Sequence, residues 1–94
     1  MRDVCGLTLR RPQTAAIEYA EDGIRVNCIN PGYVSTPMTE EAVKTRFDAM
    51  MAKVSMRRMG TPEEIAEAVV WMCSDKASFM TGASHIADGG YYAA

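Results

Sequence analysis

The 94-residue chain lacks a strong charge of either sign, since ten basic residues against twelve acidic ones leave a formal net charge of −2. General electrostatic attraction to nucleic acid or to anionic lipid is therefore not expected. The one basic cluster, Arg57 and Arg58 with Lys53, reads as a solvated face. Cysteine is also scarce. Cys5, Cys28 and Cys73 are an odd number at wide spacings, each among apolar neighbours, which indicates neither a disulfide framework nor a paired metal motif. They read as small buried hydrophobes in a reducing compartment. The single histidine, His85, has no ligand-type residue at a metal-binding spacing and is taken as an ordinary strand-end residue, so no metal site is expected. No apolar run reaches the roughly 18 residues of a membrane span, and Arg2-Asp3 is followed by no signal-peptide core, so a cytoplasmic location is expected. Repeats, low-complexity tracts and linkers are missing too, and residues 1–94 read as a single unit.

What is present is an ordered series of elements. "PQTAAIEYAEDG" has Pro12 suited to a first helical turn and Gly23 where a left-handed cap would fall, which predicts a helix from Pro12 to Glu21. "IRVNCIN" follows at once. Ile24, Val26, Cys28 and Ile29 give more apolar content than strict alternation, as expected of a strand covered on both faces. The strand then breaks at Pro31-Gly32 into a loop rich in hydroxyls. Val43, Phe47, Met50, Met51 and Val54 next recur at helical spacing, predicting one helix over 38–53 with Glu41, Lys44 and Asp48 opposite. In "TPEEIAEAVVWMCS", Thr61 can cap a helix, Pro62 fits its first position and Glu64 completes a capping box. Ile65, Ala68, Val69, Met72 and Cys73 line one face of that helix, and Trp71 points away from it. A short strand over 83–87 precedes "DGG".

Helix, strand, helix, helix, strand implies a right-handed crossover onto a parallel sheet. Two such strands are a poor independent domain, because parallel strands are made to be buried between neighbours. The fold class is α/β, and the chain reads as one end of a larger parallel sheet, an incomplete domain.

These residues carry a resemblance. "GLT" at 6–8, "TAAIEYAEDGIRVNCINPGYVSTPM" at 14–38, "RMGTPEEIAEAVVWMCSDKASFMTG" at 58–82 and "IADGG" at 86–90 resemble, in order and spacing, the C-terminal segment of the classical short-chain dehydrogenases/reductases. The resemblance implies a Rossmann-type fold and NAD(P)(H)-dependent oxidoreduction of alcohol and carbonyl groups, with NAD or NADP as cofactor. In open parallel sheets the ligand lies beyond the carboxyl ends of the strands. By the resemblance, Pro31 and Gly32 would pass close to the nicotinamide, Val34 would meet the carboxamide through its backbone, and Thr36 would offer its hydroxyl. Pro-Gly can equally end the strand in a plain turn, and Thr36 can cap the helix that begins at Pro37. Met38, Val43, Phe47, Met50 and Met51 would belong to a mobile substrate lid, or simply to the core.

The family's acid/base tyrosine, with a lysine four residues on, has no counterpart in these 94 residues: Tyr19 is followed four on by Gly23, and Tyr33 by Pro37. No catalytic residue is therefore assigned. The glycine-rich dinucleotide turn is missing as well, since Gly82, Gly89 and Gly90 neither have its spacing nor open a helix. Residues 1–13 are an atypical edge, where "LRRPQT" interrupts what the family runs as one helix. The expectation is a segment carrying the nicotinamide-side loop, the lid and an oligomer-contact region of such an enzyme. Its partners would be the missing N-terminal half or further copies of the chain. The alternatives are a catalytically inactive truncated association module, or an unrelated small binding domain.

Overall fold

A computed structural model describes the backbone of residues 2–6 and the backbone and side chains of residues 12–93. Its elements are β1 (Arg2–Gly6), α1 (Pro12–Tyr19), β2 (Ile24–Pro31), α2 (Pro37–Val43), α3 (Phe47–Met51), α4 (Pro62–Met72) and β3 (Ser84–Ala87). The strands form a sheet of order β1-β2-β3, with β1 parallel to β2 in the register Arg2 opposite Ile24 through Gly6 opposite Cys28. Strand β1 is an addition to the order expected from sequence. Polar Arg2 and Asp3 and the terminal Gly6 hide it from local pattern, because strand formation depends on the partner beside it more than on intrinsic preference. The expected "GLT" correspondence reaches Leu7 and Thr8, which lie outside the described residues.

The chain divides into two compact units, residues 1–30 with 66–85 and residues 31–65 with 86–94. The first is organised by β2, whose residues Arg25 to Ile29 are all buried, as a strand covered on both faces should be. Two of those five are polar. The Arg25 guanidinium donates to the carbonyls of Met72 at 2.8 Å, Ser74 at 3.0 Å and Met80 at 2.9 Å. The last carbonyls of a helix have no partner within it, and a cation is favoured at that end, so Arg25 completes the C-terminus of α4. Asn27 donates to the Met80 carbonyl at 2.9 Å and accepts from the Ala83 amide at 3.3 Å. Backbone bonds from Gly82 to Val26 and from Cys28 to Ala83 run beside them.

Helix α1 ends at Tyr19 and tightens into a 3₁₀ turn over Ala20–Asp22, closed by Gly23 at φ 75°. Helix α4 buries Met72 and half-buries the rest of its expected stripe, with Trp71 and Val70 exposed. Cys28 is a buried free thiol, but Cys73 is disulfide-bonded, which departs from the reading of three buried thiols.

In the second unit the single helix expected over 38–53 is two helices, α2 and α3. Lys44 and Arg46 bond three residues back, to Glu41 and Val43, before Met50 resumes four-residue bonding to Arg46. The tighter turn falls on Lys44-Thr45-Arg46, three exposed residues with a β-branched threonine at their centre. Among the described residues no helix is long and apolar enough to cross a membrane.

Candidate functional site

The second unit holds the loop after β2. Its first fastening is Gly32, whose amide donates to the Ala87 carbonyl at 3.1 Å. A Cβ on Gly32 would lie 2.6 Å from Asp88 Cβ and 2.8 Å from Asp88 Cα, so the backbones of the two segments meet where only glycine fits. Glycine is thus required here by Asp88, whatever else approaches the turn. The second fastening is a parallel bridge at Val34, in which Gly60 donates to Tyr33 and Ser35 donates to Gly60, each at 2.8 Å. Tyr33 also sets its ring edge-on to Tyr91, with centroids 5.9 Å apart.

Thr36 caps α2. Its hydroxyl accepts from the Thr39 amide at 3.2 Å, and the Thr39 hydroxyl accepts from the Thr36 amide at 2.8 Å while donating to the Val34 carbonyl. Thr39 was missed by sequence reasoning, although the Thr-x-x-Thr spacing is a variant of the capping box. The Thr36 and Thr39 oxygens lie 2.9 Å apart, so the remaining Thr36 hydrogen can serve Thr39 or another acceptor.

Gly32, Ser35 and Thr36 therefore have bonded amides, whereas the amides of Tyr33 and Val34 enter no hydrogen bond among the described residues. Both residues are half-buried. Two adjacent donors left open in a loop pinned on either side can donate to a ligand's carbonyl or amide oxygen.

The expected lid residues separate. Val43 and Met51 are buried and Met50 is half-buried, while Met38 is 82% and Phe47 is 44% exposed. The first two belong to the buried residues of the unit with Val54, and Met38 and Phe47 face solvent. A shallow depression of about 400 Å³ has Ser35, Val43 and Phe47 on its walls. A larger cavity of about 560 Å³ is bordered by Tyr33, Val54, Gly60, Ile86, Asp88 and Tyr92, among others.

The turn into α4 is charged. Glu64 accepts from the Thr61 amide at 2.9 Å, and the Thr61 hydroxyl accepts from the Glu64 amide at 3.1 Å, forming the capping box read from the sequence. Arg58 grips the same carboxylate through both terminal nitrogens, at 2.8 and 3.0 Å. That side-chain bond, with the Thr61 amide next in weight, lowers the Glu64 carboxyl to about 2. The described residues contain no group of His, Cys, Asp and Glu that could hold a metal.

Comparison with known proteins places the chain in a family. A family model described as enoyl-(acyl carrier protein) reductase matches residues 10–92. A cyclohexanol dehydrogenase from an Acinetobacter species is 44% identical over 89 residues, covering 94% of this chain and 32% of the relative. Canine (3R)-3-hydroxyacyl-CoA dehydrogenase is 39% identical over 89 residues, covering 95% of this chain and 33% of the relative. An Agrobacterium tumefaciens protein crystallised with bound NADP superposes with a TM-score of 0.82 at 38% identity, covering 88% of this chain and 35% of the other. An oxidoreductase of the short-chain dehydrogenase/reductase family from Burkholderia thailandensis superposes at 0.81 with 36% identity, over 88% and 33% of the two chains. The chain spans about a third of the length of the relatives it matches.

Proposed function

The chain belongs to the short-chain dehydrogenase/reductase family, and from that membership we propose that it is one partial dinucleotide-binding domain, supplying the nicotinamide-side loop of an alcohol- or carbonyl-active oxidoreductase. The reading rests most on the open amides of Tyr33 and Val34 in a loop whose neighbours are all bonded. NAD or NADP, when bound, supplies or accepts the hydride. The chain's own part is to hold that ring. Val34 would offer its backbone amide to the carboxamide, and Thr36, which caps α2, would add its hydroxyl. Pro31 and Gly32 end β2 and aim the loop, with Gly32 set against Asp88. Met38 and Phe47 close over an apolar substrate, and Met50 supports them from the half-buried side. Val43 and Met51 anchor the lid from beneath.

No tyrosine in these residues has a lysine four positions on, so the proton that accompanies hydride transfer must come from residues outside the sequence. The natural complement is the N-terminal half of such a domain. Joining these 94 residues to the part of a relative that they do not match provides the test. Thr36→Ala in that chimera should weaken the cofactor by about 1–2 kcal/mol, the scale of one hydrogen bond to a partly charged partner, with the loss in the cofactor's KM. An unchanged KM for both cofactors would leave Thr36 as a helix cap only.

A second reading is an inactive association module. It is favoured by the exposed apolar side chains of the first unit, with Phe79 fully exposed, Ile17 at 78% and Val70 at 68%, and Trp71 beside Val70 on α4. On that reading the chain self-associates. Sedimentation velocity at micromolar concentration separates the two: a sharp monomer contradicts the module.

A further inference from the structure

We propose that Asp88 and Gly89 act as a positioning bracket that ties the Pro31-Gly32 turn to the segment following α3, so that the cofactor loop and the base of the lid are held by one element. The inference rests on the reading above only for what is positioned. One arm of the bracket is the contact already described, in which Gly32 bonds Ala87 and its missing Cβ leaves room for the Asp88 backbone. The other arm begins at the next residue. The Gly89 carbonyl accepts from the Met56 amide at 2.9 Å, and a Cβ on Gly89 would come within 2.9 Å of Val54 Cγ1. The Ser55 hydroxyl then donates to the Gly90 carbonyl at 3.2 Å.

The Asp88 side chain makes the two arms one piece. Its two carboxylate oxygens accept separately from the Gly90 amide and the Tyr92 amide, each at 2.9 Å. Gly89 and Gly90 sit at φ 64° and 93°, so the chain folds back sharply under that carboxylate and presents the Gly89 carbonyl to Met56. Val54, the residue against Gly89, is 2% exposed and anchors the C-terminal side of the lid. A displacement at Asp88 must therefore reach Gly32 on one side and Met56 on the other. Coupling of this kind is reciprocal.

The test is amide hydrogen exchange on the 94-residue chain, read residue by residue. Asp88→Asn keeps the shape and one acceptor oxygen but loses the other, and should speed exchange of the Gly32 and Met56 amides together by about tenfold. Gly89→Ala, placed against Val54, should speed exchange at Gly32, which it does not touch. Gly32→Ala, placed against Asp88, should in turn speed exchange at Met56. Asp88→Glu, which keeps both acceptors, should restore part of the protection. The Glu64 and Ile65 amides at the start of α4 serve as internal controls and should stay unchanged. Changes confined to the Gly90 and Tyr92 amides, or unprotected Gly32 and Met56 amides in the native chain, would overturn the bracket. If the coupling is found but NAD and NADP fail to shift the Pro31–Thr36 resonances of the chimera, the cofactor reading falls and the bracket stands.

Discussion

The two ends of the stretch from Ile24 to Thr36 are built on opposite plans. From Arg25 to Ile29 every residue is buried, and the two polar ones, Arg25 and Asn27, send side-chain hydrogen bonds to the carbonyls of residues 72, 74 and 80. From Pro31 to Thr36 the chain is held by backbone bonds, one glycine contact and a cap, and two adjacent amides are left open. The first plan places most of its free energy in burial and in satisfied polar groups. The second leaves the amides of Tyr33 and Val34 without a partner among the described residues, which the proposed cofactor role would use. The change of plan falls at Pro31, where β2 ends.

The largest effect that sharpens this contrast is expected at Arg25. Arg25→Met keeps the apolar stem but removes a charged donor from three carbonyls, of which Met80 keeps its bond from Asn27 and Ser74 its bond from the Ala77 amide while Met72 loses its side-chain donor, and should cost about 3 kcal/mol in denaturant unfolding. A loss below about 1 kcal/mol would remove the structural half of the comparison. Gly32→Ala comes next. The added methyl meets Asp88 backbone rather than a flexible side-chain end, and should cost about 2 kcal/mol, read by the same unfolding curves. A neutral result would mean that the turn is not fixed as described.

Thr39→Ala should be smaller, about 1 kcal/mol, because it removes one side of the reciprocal cap on α2. Thr39→Ser should recover most of it. The smallest effect concerns pH. Glu64 titrates near 2 in the folded chain against an ordinary value of 4.5, so its contribution is present above pH 4.5 and is lost as pH falls toward 2. The pair with Arg58 is exposed, which keeps the effect slight. Melting temperatures of the native chain and of Glu64→Gln should differ near pH 6 and converge near pH 2. A constant gap would assign the effect to the Gln side chain itself.

Much of the contrast was legible in the sequence. Ile24, Val26, Cys28 and Ile29 marked a strand without an exposed face, and Thr61, Pro62 and Glu64 marked the start of α4, because both signals are local. The same holds for Pro31-Gly32 as the strand's end. Arg25 and Asn27 were not legible as buried residues, since their partners lie 47 and more positions away. The reason for Gly32 was hidden likewise, because Asp88 approaches it only once β3 has paired beside β2. Residues 38–53 read as one helix in the sequence because the apolar spacing continues through residues 44–46, although the four-residue hydrogen bonding does not. Periodicity reports which side chains share a face, and says less about whether the backbone between them keeps its winding.

The central claim is that these residues hold the cofactor's nicotinamide side while the acid/base chemistry lies elsewhere. The rate of NADH and NADPH oxidation across a panel of ketones, measured for the purified 94-residue chain and for its chimera with the unmatched part of a relative, tests it most directly. The account predicts no turnover above a heat-killed control for the chain alone and cofactor-dependent turnover for the chimera. Turnover by the chain alone that scales with its concentration, or a chimera that folds and remains silent, would contradict it.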